Sequence, residues 1–202
     1  RGRRRGAGRG DGGRGGAHRR AGGRSPLRGA AGGFAQRGGR ARRLDGVDLV
    51  VGEERRVAVT GTFAELADAL RVEFGAPPDA YPDGSEVSAT DDVSLDGASA
   101  QLILDWYLLT DAALRVMAPR QTPILWPEHF DVSILLDDTS YGADPGDAFQ
   151  PSPYAYVSTG THGESDFWNA PFGAIRSHEQ THSVDDLVSF WRSGQRLLNS
   201  HD

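Results

Sequence analysis

The chain has 202 residues, enough for one domain with a full core and short for two. Its net charge of −6 averages two unlike parts: residues 1–43 hold 14 of the 22 arginines and one acid, Asp11, while residues 44–202 hold 27 of the 28 acids. So acidic a body excludes nucleic acid as its partner, because phosphate neutralisation supplies most of that affinity. The absence of cysteine excludes disulfides and thiolate chemistry. No apolar run reaches the roughly 20 residues of a membrane helix.

Every basic residue is Arg and none is Lys, a usage that fits a GC-rich genome and, with so many acids, a salt-loving host. Residues 1–43 read as a disordered Arg/Gly-rich extension, or as upstream GC-rich DNA translated as protein. An RNA-binding tail is the functional alternative. The Gly8-Arg9-Gly10-Asp11-Gly12-Gly13 match to a dinucleotide loop has no apolar strand before it and is discounted. With Arg1 first and Met117 the only Met, the true start is expected to be missing or mis-assigned. No apolar stretch resembles a signal peptide, so a cytoplasmic location is expected. Residues 27–34 fit a ragged start to the fold, and the domain proper is placed at 44–202.

Val47, Leu49 and Val51, a turn at residues 52–56 and Val57-Ala58-Val59 predict a β-hairpin. Thr62 with Glu65 forms a capping-box pattern that opens a helix to about Phe74, closed by Gly75. Residues 76–97 read as a long loop. A second helix is expected from about Ala98 to Ala118, its core stripe being Leu102, Ile103, Trp106, Leu109, Ala113, Leu114 and Met117. Phe130, Val132, Ile134 and Leu136 then alternate with polar residues as a half-buried strand, and Tyr154 to Ser158 is a shorter one. Ser183 with Asp186 caps a last helix that buries Val184, Leu187, Val188, Trp191 and Leu198. This order predicts an α+β single domain: a mostly antiparallel sheet with about three helices on one face.

Chemistry concentrates between Trp126 and Gly173, where turns alternate with large rings and carboxylates. Glu128, His129 and Asp131 are the candidate catalytic residues, a carboxylate beside an imidazole being suited to acid/base work. On a strand, His129 and Asp131 would share the outward face while Phe130 and Val132 turn to the core. Asp144-Pro145-Gly146-Asp147 is a turn sequence without the ligand spacing of a calcium loop. Asp144, Asp147, Tyr154, Tyr156, Trp168 and Asn169 are candidate ligand contacts, with Asn169 as polar handle of an aromatic pocket.

His178-Glu179-Gln180-Thr181-His182 matches the H-E-x-x-H pattern of zinc proteases, which need both imidazoles on adjacent turns of one helix. Here Ser183 reads as the cap of the following helix, which leaves the motif in a loop. His178 and His182 are therefore only weak metal candidates, with His162, Glu164 or Asp185 as possible third ligands, and the identity of any cofactor is not readable.

Four motifs carry a family resemblance: Trp126-Pro127-Glu128-His129-Phe130-Asp131, Tyr141 to Asp147, Pro151-Ser152-Pro153-Tyr154-Ala155-Tyr156-Val157 and Phe167 to Gly173. With them the chain resembles an uncharacterised family of proteins from high-GC actinobacteria. Gly32-Gly33-Phe34 and Asp45 to Val51 resemble its N-terminal part. The resemblance implies one whole domain over most of 27–198 and brings no activity with it. Three functions stay open: small-molecule binding through an aromatic and acidic pocket in 126–173, a metal-assisted or acid/base hydrolase or lyase using Glu128, His129 and Asp131, and a protein-interaction domain. Oligomeric state is not readable.

Overall fold

A computed structural model describes residues 27–30, 33–36, 42–52, 54–75, 87–126 and 129–200. The strands are β1 (Leu27–Ala30), β2 (Gly33–Gln36), β3 (Arg42–Asp45), β4 (Asp48–Val51), β5 (Arg55–Ala58), β6 (Ile124–Trp126), β7 (Asp131–Leu136), β8 (Thr139–Asp144), β9 (Tyr154–Ser158) and β10 (Gly173–Ser177). The helices among the described residues are α1 (Phe63–Leu70), α2 (Gly97–Met117) and α3 (Val184–Asn199), with a 3-10 turn at His178–Gln180. The fold is α+β. No helix among the described residues is long and apolar enough to cross a membrane.

The strand order is β10-β9-β8-β7-β6-β1-β2-β3-β4-β5, with every neighbouring pair antiparallel. Two well-paired blocks stand out, β6 to β10 and β3 to β5. The β1–β2 hairpin joins them through one registered pair on either side, Leu27 with Leu125 and Ala35 with Arg43. Among the described residues paired backbone begins at Leu27, within the 1–43 segment and where a ragged start to the fold is expected. Composition weighs side chains, whereas a ladder is made by backbone groups that glycine also carries. Residues 1–26, most of the segment expected to be a disordered extension with an RNA-binding tail as the alternative, lie outside the described residues.

α1 carries the expected capping box, Glu65 N–H donating to Thr62 Oγ1 and Thr62 N–H to Glu65 Oε2. It stops at Leu70 rather than near Phe74 because Arg71 adopts φ 55° and Val72 N–H turns back to Ala67 O, the hydrogen-bond pattern of a Schellman stop. Phe74 then folds back on Phe63, ring centroids 6.1 Å apart. Asp96 caps α2 by accepting the Ser99 N–H.

α2 and α3 pack on each other and on one face of the β6–β10 block. That face presents Leu125, Val132, Ile134, Tyr141, Ala143, Ala155, Val157 and Ala174. The buried side of α2 is Leu104, Trp106, Tyr107, Thr110, Ala113 and Leu114. Leu102 is exposed, contrary to the expected stripe, because apolar residues surround this helix and spacing alone does not choose its inner side. α3 starts at the expected cap, Ser183 Oγ accepting the Asp186 N–H, and buries Leu187, Val188, Phe190 and Trp191.

Two further differences concern the block itself. Tyr141 to Asp144, expected as part of a turn cluster, complete β8. β7 begins only at Asp131, because Phe130 has φ 54° and breaks the alternation before it. The β7–β8 hairpin closes through Asp137 and Asp138, both with positive φ, the backbone of a tight two-residue turn.

Candidate functional site

The block's second face is where the candidates collect, and it is not the solvated face that alternation predicts. Asp131, Ser133, Gly142, Asp144, Tyr154 and Tyr156 point away from the helices, yet all are buried. Asp131 is 6 % exposed and Asp144 7 %.

Glycine at 142 shapes this face. A Cβ there would stand 2.5 Å from Val132 O, 2.6 Å from Ser133 Cβ and 2.8 Å from Tyr156 Oη. The Tyr156 phenol therefore crosses β8 over Gly142, and its hydroxyl donates to Asp131 Oδ2 on β7. Beside it the Trp126 indole donates to Ser133 Oγ at 2.9 Å. Burial pushes the Asp131 carboxyl above the usual carboxylate range, against opposing effects of the Tyr156 hydroxyl, His129 and Ser133. Burial beside that carboxylate raises Tyr156 as well.

Asp144 ends β8. Its backbone oxygen accepts the buried Trp106 indole N–H of α2 at 3.2 Å, and its Oδ1 accepts Gly146 N–H at 2.8 Å. Burial pushes the carboxyl up to about 6; Gly146 N–H and His129 oppose the shift, while Asp147 and Asp131 add to it. Asp147 Oδ1 accepts Phe149 and Gln150 N–H, and Asp147 Oδ2 accepts the Tyr154 hydroxyl at 2.9 Å. From α2 the Tyr107 hydroxyl donates to Phe130 O. Burial raises Tyr107 and Tyr154, reinforced by Asp144. Asp131, Asp144, Tyr154 and Tyr156 thus form one buried acidic and phenolic cluster, which exposed Asp147 borders through its bond from the Tyr154 hydroxyl. His129 is exposed at its margin, and Glu128 lies outside the described residues.

Asn169 does not belong to that cluster. Its Nδ2 donates to Ile175 O at 3.2 Å and its Oδ1 accepts Ile175 N–H at 2.8 Å. With Ala170 bonded both ways to Gly173, the carboxamide closes the outer edge of β10 instead of serving as a pocket's polar handle. That role needs the folded edge and is invisible in the motif.

Trp168 sits beyond the other end of β9, in the loop after Ser158. There an open cleft of about 570 Å³ is lined by His162, Gly163, Glu164, Ser165, Asp166 and Trp168. The His162 imidazole stacks on Trp168 at 4.7 Å and 19°. Phe167 anchors the loop, its ring 4.9 Å from Trp168 and 5.3 Å from Phe190 of α3. The Trp168 indole N–H is buried and finds no acceptor among the described residues. From the sequence, His162 and Glu164 enter only as possible third ligands beside His178 and His182, and Asp166 not at all; the usable sign of this cleft was a ring pair six residues apart around two acids.

His178 lies in the 3-10 turn with its ring edge-on to Trp106, whereas exposed His182 follows that turn. The two imidazoles are not on successive turns of one α-helix. Among the described residues no three His, Asp or Glu side chains are grouped as metal ligands. Compared with known protein families, with curated proteins and with solved structures, the chain matches none of them.

Proposed function

We propose that the protein binds a small molecule in the cleft of residues 162–168, with the ligand lying against the Trp168–His162 stack. The lining of the cleft carries this reading: the His162–Trp168 stack gives an aromatic wall beside the exposed polar side chains of Glu164, Ser165 and Asp166. Glu164 and Asp166 supply acceptors, so ligands with N–H donors and a planar apolar body fit best. A screen of such compounds by thermal shift, with binding followed by NMR, tests it. A hit should perturb the Trp168 indole resonance and be lost in Trp168→Ala; hits that perturb only residues outside 159–173 would overturn it.

The hydrolase or lyase reading rests on Asp131, whose carboxyl burial raises as acid/base work requires. It has less support, since Asp131 is engaged by Tyr156 and is 6 % exposed. The interaction reading rests on Trp126 and Leu135, exposed large side chains on the face away from the helices. A cytoplasmic location and kinship with the actinobacterial family belong to the same proposal. The residues behind that resemblance include Asp131, Gly142, Asp144, Tyr154, Tyr156 and Asn169, which build the buried cluster and close the β10 edge.

A further inference from the structure

Two buried side-chain polar atoms find no hydrogen-bond partner among the described residues, Thr110 Oγ1 and Trp168 Nε1. Thr110 is fully buried on the inner side of α2, out of reach of anything in solution. Trp168 lines the cleft. An indole N–H can only donate, and a donor buried without an acceptor is a standing cost that a bound acceptor removes.

The side chains beside it are lopsided the other way. From Thr159 to Gly173 the chain has two acids, Glu164 and Asp166, and no Arg or Lys. Both carboxylates are exposed in the lining of the cleft, and neither has a hydrogen-bond or ion-pair partner among the described residues. The His162 imidazole lies nearly parallel to the indole with Nδ1 3.0 Å from Gly163 O, so the loop already seats one flat ring that bears N–H.

Residues 160–166 are held only from within their own loop. Thr159 Oγ1 donates to Thr161 O, while Ser165 accepts Phe167 N–H on Oγ and Trp168 N–H on its backbone oxygen. Among the described residues no hydrogen bond ties this stretch to a strand or helix, so moving it to admit a ligand breaks no bond of the sheet.

We propose that the ligand of the cleft is a flat nitrogen heterocycle carrying an amino group, its ring nitrogen accepting from the Trp168 indole N–H and its amino group donating to Glu164 and Asp166. The inference rests on the ligand reading above and narrows it from N–H donors to an acceptor and donors on one flat ring. The two carboxylates repel an anionic ring, and a ring that only donates leaves the indole N–H unmade.

Three compounds of one shape test it: 2-aminopyrimidine has ring nitrogens and an amino group, aniline the amino group alone, and pyrimidine the ring nitrogens alone. Each is titrated into the full chain at neutral pH, where all three are uncharged, and followed by NMR. 2-Aminopyrimidine should bind about fivefold more tightly than either of the others, the worth of one hydrogen bond, and should move the Trp168 indole N–H signal downfield. Trp168→Phe keeps a flat wall without the N–H and should erase the preference over aniline. Glu164→Ala combined with Asp166→Ala should erase the preference over pyrimidine. Equal binding of all three at residues 162–168 overturns the inference and leaves the wider ligand reading standing. A preference over aniline that survives Trp168→Phe overturns it too, as does the absence of any shift in residues 162–168 with all three. Should Trp168→Phe fail to fold, a preference over pyrimidine that survives in the Glu164 and Asp166 double variant overturns it equally.

Discussion

The hydroxyl of Tyr156 reaches the carboxylate of Asp131 by crossing the strand between them at Gly142. Sheet register normally keeps side chains two strands apart from touching, and the missing Cβ permits the crossing. Gly142→Ala is therefore expected to cost ~2–3 kcal/mol, since a methyl group would meet the backbone oxygen of Val132 as well as the phenol. Urea unfolding of the variant measures it; a loss below half a kcal/mol would sink this account of Gly142.

Tyr156→Phe removes the donor and leaves a buried carboxylate short of a partner, which costs about 1–3 kcal/mol near neutral pH. The Asp131 carboxyl should rise further, because the hydroxyl is the largest effect opposing burial there. The variant should regain stability on acidification. Unfolding midpoints at pH 5 and pH 7.5 separate this from a plain packing loss, which would be alike at both.

Asp144 sets the sign of the pH dependence. Its folded carboxyl titrates at about 6, above the ordinary 3.8, so its contribution is fully present below about 3.8 and is lost as pH rises through about 6. Two pKa units correspond to at most ~3 kcal/mol, lost between pH 4 and pH 7. Asp131, raised in the same direction, adds to the trend. Denaturant titrations across this range should show falling stability in the native protein and a flatter profile in Asp144→Asn.

Asn169→Ala should uncover two backbone groups of Ile175 at the β10 edge. A loss of about 1–2 kcal/mol is expected, together with a greater tendency to associate. Chemical unfolding and light scattering at raised concentration check the two effects. A variant as stable and as soluble as the parent would mean that solvent serves that edge equally well.

Local patterns were legible wherever one short segment decides the structure. Thr62 with Glu65 and Ser183 with Asp186 each fix a helix start through bonds within one turn. The alternation of Val132 and Ile134 correctly gave the core side of β7. Features that need distant partners were not legible. Gly142 reads as a turn residue until Tyr156 is known to lie over it. Asp131 reads as solvated until a phenol two strands away covers it. The end of α1 depended on Arg71 adopting a left-handed backbone, which nothing in its residue type announces. The cleft escaped notice because its walls come from a loop whose shape is set by Phe167 resting on Phe190 of α3.

Every fully buried member of the main apolar cluster falls between Leu104 and Trp191. Within that span the strands follow one another as a meander, with one helix before it and one after. The stretch from Asp96 to Ser200 thus owns a complete interior, and the earlier strands with α1 join it as an annex sharing the same sheet. Such a division implies two tiers of cooperativity: the annex can fray while the interior stays dry, so its amides should exchange through smaller openings than those of β7 to β9.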